Sequence, residues 1–128
     1  MSAAQLAGKA RRALDAAKRA IQAGDSETAA DRAYYAVYYA AWALLDSKGA
    51  ARPKTHRGLI AEFSRMFVKE GPLDASEGAV LSRLENLRLV ADYTLEMVPI
   101  ADAGRAVEEA ARFISVIERL LSRSDNTR

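Results

Sequence analysis

Asp31-Arg32-Ala33-Tyr34-Tyr35-Ala36-Val37-Tyr38-Tyr39-Ala40-Ala41-Trp42 is the stretch whose reading decides the fold. Wound as a helix, it puts Tyr34 and Tyr38 on one face and Tyr35, Tyr39 and Trp42 on the adjacent one. The alanines between the rings let a second backbone approach closely. Four phenols and an indole also carry polar tips, and each needs a hydrogen-bond partner when its ring is buried. Two placements meet that need. The helix lies in a core with its hydroxyls reaching the surface, or it lines a cleft or a dimer interface, where aromatic residues are enriched.

On either side of this stretch the apolar period is helical throughout. Leu6, Ala10, Ala13, Leu14, Ala17 and Ile21 form a stripe over 3–23, and Gly24 stops it. Asp25 or Ser26 then caps the tyrosine helix, which runs to about Ser47 and ends at Gly49. So short a connection predicts an antiparallel helical hairpin. Thr55 caps a third helix to about Lys69, carrying Leu59, Ile60, Phe63 and Phe67, and Gly71-Pro72 breaks it. A fourth helix begins near 74–76 and reaches about Val98, with Val80, Leu81, Leu84, Leu87 and Ala91 on one side. Pro99 ends it, and Asp102 to Gly104 opens a fifth with Val107, Ala110, Ile114, Ile117 and Leu121. The tail after Ser122 reads as frayed. The expectation is an all-α, up-and-down helical bundle of about five helices in one domain, 1–128, with its core over about 5–122. The first, second, fourth and fifth helices form the main layer, and the short third lies across one end.

Composition narrows the chemistry. Half of the 128 residues are apolar, and there are only seven Gly and three Pro. With no Cys and one His, thiolate catalysis, disulfides and Cys- or His-rich metal sites are excluded, and no metal or cofactor pattern is present. No apolar run approaches the roughly 20 residues of a bilayer span, and the N-terminus lacks a signal core, so a cytoplasmic protein with no membrane partner is expected. The net charge of +2 is small, but its distribution is uneven. Lys9 to Arg19 holds five basic residues against one acid, and Lys48 to Arg57 holds four with His56 and no acid. Such runs suit a solvated face and equally a surface that meets phosphate.

Arg88-Leu-Val-Ala-Asp-Tyr93 offers the clearest chemistry. Arg88 and Asp92 stand one turn apart on one face, with Tyr93 beside them. An exposed intrahelical ion pair is the plain reading, worth about 0.3–0.5 kcal/mol. Facing a cleft, the planar guanidinium of Arg88 would instead grip a phosphate, with Asp92 orienting it or acting as a base. His56, in the basic segment Arg52-Pro-Lys54-Thr-His56-Arg57, reads as a surface or capping residue near a helix start. It is nevertheless the one side chain here with an ordinary pKa near neutrality. Candidate catalytic residues are therefore Arg88, Asp92 and Tyr93. Candidate phosphate or RNA contacts are Arg88, Arg52, Lys54, His56 and Arg57, and Tyr34, Tyr35, Tyr38 and Tyr39 are expected at an interface or cleft.

Three of these stretches together resemble a known family. Arg32-Ala-Tyr34-Tyr35-Ala-Val-Tyr38 with Ala43-Leu44-Leu45 resembles the signature helix of HEPN domains. Lys54-Thr-His56-Arg57-Gly-Leu59 with Phe63 and Phe67, and Leu84-Glu-Asn-Leu-Arg88-Leu-Val-Ala-Asp92-Tyr93, resemble the third- and fourth-helix regions of its short single-domain branch. The resemblance spans about 5–122. It implies a helical bundle that forms a homodimer. It also implies a metal-independent RNA-cleaving site made of an Arg, four to six residues, and a His, and a toxin–antitoxin pairing with a minimal nucleotidyltransferase. Arg88 matches the family's Arg. The motif His does not carry over: Asp92 stands fourth after Arg88, no His follows it, and His56 precedes it. Losing a positioned acid or base costs about 10²–10⁴ in rate. The resemblance therefore implies a homodimeric binding partner for a nucleotidyltransferase-like protein, taking nucleotide or RNA at Arg88. The alternative is a toxin ribonuclease using Arg88 with Asp92, Tyr93 or His56. Adenylylation of Tyr93 by the partner is conceivable on the same ground.

Overall fold

A computed structural model of the chain describes residues 1–126, with side chains through 123. Five α-helices follow in order: α1 Ala3–Gln22, α2 Ser26–Ser47, α3 His56–Ser64, α4 Ala75–Tyr93 and α5 Ile100–Asn126. The local signals act as the sequence dictates. Ser2 and Gln5 form a reciprocal capping box on α1. Asp25, Thr55 and Asp74 accept from the backbone N–H groups of Thr28, Gly58 and Glu77 at 3.2, 2.9 and 3.0 Å. Gly24 and Gly49 close α1 and α2 with φ of 74° and 75°, a conformation that L side chains rarely adopt.

The hub is α2. It packs on α1, α5, α4 and α3, whereas α4 touches α5 only slightly. Ala29, Ala30, Ala33, Ala36, Ala40, Ala41 and Ala43 are all buried, so helices close in on several sides of α2 at once. Tyr34, Val37, Tyr38, Leu44 and Leu45 are buried among them. Leu6, Leu14 and Ala17 of α1 and Phe113, Ile114 and Ile117 of α5 complete the core.

Four boundaries differ from the sequence reading. The third helix does not run evenly to Lys69, because a π-helical turn occupies Arg65–Lys69. Its wider winding, with the Glu70 N–H donating to the Arg65 carbonyl, keeps Phe67 in the core 5.2 Å from the ring of Phe63. α4 stops at Tyr93, five residues before Val98. The Thr94 N–H makes the last ladder bond, to the Val90 carbonyl at 3.2 Å; its hydroxyl donates to the same carbonyl at 2.8 Å and accepts from the Glu96 N–H at 3.1 Å, which takes that N–H out of the ladder. Pro99 also bars Val98 from helical geometry. α5 opens at once after Pro99, whose carbonyl accepts from Ala103 N at 3.1 Å. Finally, the helix continues through the expected frayed tail to Asn126, while residues 127–128 of that tail lie outside the described residues. Among the described residues no helix is long and apolar enough to cross a membrane.

Candidate functional site

The tyrosines of α2 form a continuous ladder. Ring centroids lie 5.2 Å apart for Tyr34–Tyr35, 5.9 Å for Tyr34–Tyr38, 5.8 Å for Tyr35–Tyr39 and 6.3 Å for Tyr38–Trp42. Cations from four parts of the chain sit over it. Arg32 is 5.0 Å from Tyr35, Lys9 of α1 is 4.7 Å from Tyr39, and Arg52 of the α2–α3 loop is 4.2 Å from Trp42. Arg88 of α4 lies over two rings, 4.9 Å from Tyr34 and 5.7 Å from Tyr35. Each pairing is attractive, because the ring face carries negative potential.

Arg88 is the innermost of these cations. Its side chain is only 12% exposed. Nη1 donates to the Asp92 carboxylate at 3.2 Å, so the intrahelical pair expected from the sequence does form. Nε is buried without a hydrogen-bond partner, and among the described residues no group bonds Nη2. Burial disfavours the charged guanidinium, but the neighbouring Tyr35, Tyr34 and Asp92 outweigh it and hold its pKa above the ordinary value.

His56 joins Arg88 in the cleft defined by α3 and α4 meeting the tyrosine face of α2, which corrects its reading as a surface or capping residue. Thr55 does the capping, and His56, as the first residue of α3, turns inward to α2. Its Nδ1 is 2.9 Å from the Tyr34 hydroxyl, and its ring lies 4.4 Å from that of Tyr38. The Tyr34 hydroxyl also lies 3.4 Å from the Glu85 carboxylate of α4. Arg52 donates to the Tyr38 hydroxyl at 3.3 Å. Burial lowers the His56 pKa, Arg88 and Arg52 lower it further, and Glu85 opposes them. The imidazole is therefore neutral at pH 7. Burial, followed by the charge of Glu85, raises the Tyr34 pKa and keeps the phenol protonated. Tyr34 and Tyr38 thus answer the question their sequence left open: their rings are core, and their hydroxyls reach the cleft. Tyr35 and Tyr39 are half-buried along its rim.

The cleft does not gather every candidate. Tyr93 is 76% exposed at the end of α4, and Lys54 and Arg57 point into solvent on either side of His56. Asp92 stays at the edge, 38% exposed. Glu85 was not among the sequence candidates. Its position three residues before Arg88, on the same side of one helix, was the available signal. A separate groove of about 410 Å³ between α4 and α5, lined by Leu84, Leu87, Val90, Asp102 and Ala106 among others, excludes Arg88.

The chain is similar to known proteins over most of its length. It is 36% identical over 108 residues to a Methanocaldococcus jannaschii protein named "Putative toxin MJ0605", covering 84% of this chain and 80% of that one. A "UPF0332 protein" of Thermotoga maritima is 34% identical over 115 residues, covering 88% and 86% of the two chains. A second Methanocaldococcus jannaschii protein, "Putative toxin MJ0142", is 32% identical over 89 residues, covering 70% and 60%. Residues 3–122 match the HEPN domain, so nearly the whole helical bundle, with the tyrosine ladder and the Arg88 cleft, belongs to the HEPN family.

Proposed function

We propose that this HEPN protein is toxin-like and binds the phosphate of an RNA or nucleotide in the cleft between α2 and α4, with Arg88 as the gripping group. The observation that carries this reading is the state of Arg88. A cation at 12% exposure, with a buried Nε lacking a partner and a single bond to Asp92, is poorly justified by stability alone. It is well suited to a ligand that brings acceptor oxygens, because a guanidinium offers a planar fork to phosphate. Arg52 and Arg32 add positive charge along the same ladder. Two relatives bear "toxin" in their names, which supports a toxin-like role here. A toxin needs a neutralising partner; the family resemblance suggests a nucleotidyltransferase-like protein, and a second copy of this chain as dimer mate. The test is direct binding of labelled RNA and of ATP by the wild type and by Arg88→Ala. Binding that is equal in the two proteins would sink the reading.

The position of His56 favours one second reading, a toxin endoribonuclease that works without metal. A neutral imidazole close to Arg88 is what removal of a proton from a 2′-hydroxyl requires. Asp92 and Tyr93 are the less favoured proton-transfer groups, since Asp92 is engaged by Arg88 and Tyr93 faces solvent. Incubation of purified protein with mixed RNA in EDTA decides the matter. Cyclic phosphate ends that vanish in both Arg88→Ala and His56→Ala would support catalysis, and RNA left intact over hours would leave the binding role alone.

A further inference from the structure

The Tyr34 hydroxyl has one proton and two neighbours. Glu85 Oε2 lies 3.4 Å away and His56 Nδ1 lies 2.9 Å away. An ionised carboxylate only accepts, so the contact with Glu85 requires Tyr34 to donate. That proton is then spent, and the contact with His56 requires Nδ1–H to donate to the phenol oxygen. The reverse order, with Tyr34 donating to Nδ1, turns an oxygen lone pair toward a carboxylate and leaves that contact repulsive. Only the order that ends on Glu85 leaves both contacts attractive, the shorter one to His56 and the longer one to the carboxylate.

We propose that Glu85 and Tyr34 are positioning residues, which hold the His56 imidazole as its Nδ1–H tautomer and leave Nε2 as the ring's acceptor. The two ring nitrogens point in divergent directions, so anchoring Nδ1 to α2 aims Nε2 away from it. Among the described residues no group bonds Nε2, and it is not a buried unpartnered atom. The groups that face the ring from every side agree with this assignment. α2 presents the phenols of Tyr34, Tyr35 and Tyr38, the loop presents Arg52, and α4 presents Glu85 and Arg88. The two guanidiniums disfavour a second proton on the ring, and the carboxylate reaches it only through Tyr34 and its own field. The purpose of the arrangement, an acceptor for a hydroxyl of the ligand, rests on the Arg88 reading above. The tautomer itself does not, and it can be measured on the protein alone.

The experiment is ¹⁵N NMR of the single imidazole in the uniformly labelled full chain, without nucleic acid, above the His56 pKa. The wild type should show a protonated, pyrrole-type Nδ1 and an unprotonated, pyridine-type Nε2. Tyr34→Phe should shift the population toward Nε2–H, because Nδ1 loses its acceptor. Glu85→Gln should lower the His56 titration midpoint, because it deletes the one nearby charge that raises it. An Nε2–H tautomer in the wild type would overturn the proposal and needs no variant. An unchanged tautomer in folded Tyr34→Phe, or an unmoved midpoint in folded Glu85→Gln, would overturn it as well. If the tautomer is as assigned and Arg88→Ala binds RNA like the wild type, the ligand reading fails and the positioning stands.

Discussion

Replacing Arg88 by Met should leave the fold intact and weaken the ligand, and the two effects can be sized separately. Arg88 gains on the order of 1–2 kcal/mol from lying desolvated over Tyr34 and Tyr35. Its pair with Asp92, which is 38% exposed, adds about 0.3–0.5 kcal/mol. Against this stands the buried Nε without a partner, which costs about 1–3 kcal/mol. The opposing terms nearly cancel. Met keeps an unbranched stem on the same rings, gains about 0.3–1.5 kcal/mol from sulfur–aromatic contact, and buries no orphan donor. The stability of Arg88→Met should therefore fall within about 1 kcal/mol of the wild type, on either side, a shift in Tm of about 4 °C or less. Loss of charge-assisted bonds to a phosphate, about 1.5–3 kcal/mol, should weaken RNA binding roughly ten- to hundredfold. Thermal melting by circular dichroism and fluorescence anisotropy with a labelled RNA measure the two. A variant that loses about 3 kcal/mol of stability while holding RNA as before would refute the argument and make Arg88 a structural residue.

Four further outcomes follow from particular residues. The His56 pKa lies below its ordinary value in the folded protein, so the folded state resists a proton that the unfolded state takes; stability should be full above about pH 6.5 and fall as pH drops through the folded pKa. Tm measured from pH 7 to 5 should show this slope, and His56→Gln should flatten it. The lowered carboxylates Asp25, Glu62 and Asp74 act at lower pH, below the ordinary range for carboxyl groups. Arg52→Gln should reduce the slope of log affinity against log salt by about 0.7 for single-stranded RNA, which a titration at several salt concentrations reads directly. Gly104 lies within α5 with open space around its missing side chain, so Gly104→Ala should stabilise by up to about 1 kcal/mol. A Cβ at Gly71 would meet the Met66 carbonyl oxygen at 2.5 Å and the Phe67 backbone at 2.6 Å, so Gly71→Ala should destabilise; denaturant melts that rank the two substitutions the other way would contradict this account.

The helices were legible because their stop and start signals are local. Gly24, Gly49, Asp25, Thr55 and Asp74 act through groups within a few residues, and a reader of the chain meets cause and effect together. The boundary at Tyr93 was misplaced because Pro99 is the louder signal, while the Thr94 hydroxyl ends the helix five residues earlier. The site was half legible for the opposite reason. Arg88 and Asp92 are one turn apart and their pair can be read from spacing, but His56 meets Tyr34 across 22 positions and Glu85 meets it across 51. Nothing local to His56 distinguishes an inward imidazole from a solvated one; only the packing of α3 on α2 decides it.

The tyrosine helix links the stability of this bundle to its chemistry. A buried Leu at position 34 would fill the core and need nothing further, whereas a buried Tyr leaves a hydroxyl that must find a partner or cost about 1–3 kcal/mol. Here the partners are His56 and Glu85, drawn from two other helices, and for Tyr38 the partner is Arg52 from a loop. Satisfying the core therefore fixes the cleft. α3 must present its first residue to α2, α4 must turn Glu85 and Arg88 to the same side, and the loop must lay Arg52 along the ladder. The missing motif His after Arg88 then weighs less than it does in the sequence alone, because the fold supplies an imidazole to the same cleft from the other direction.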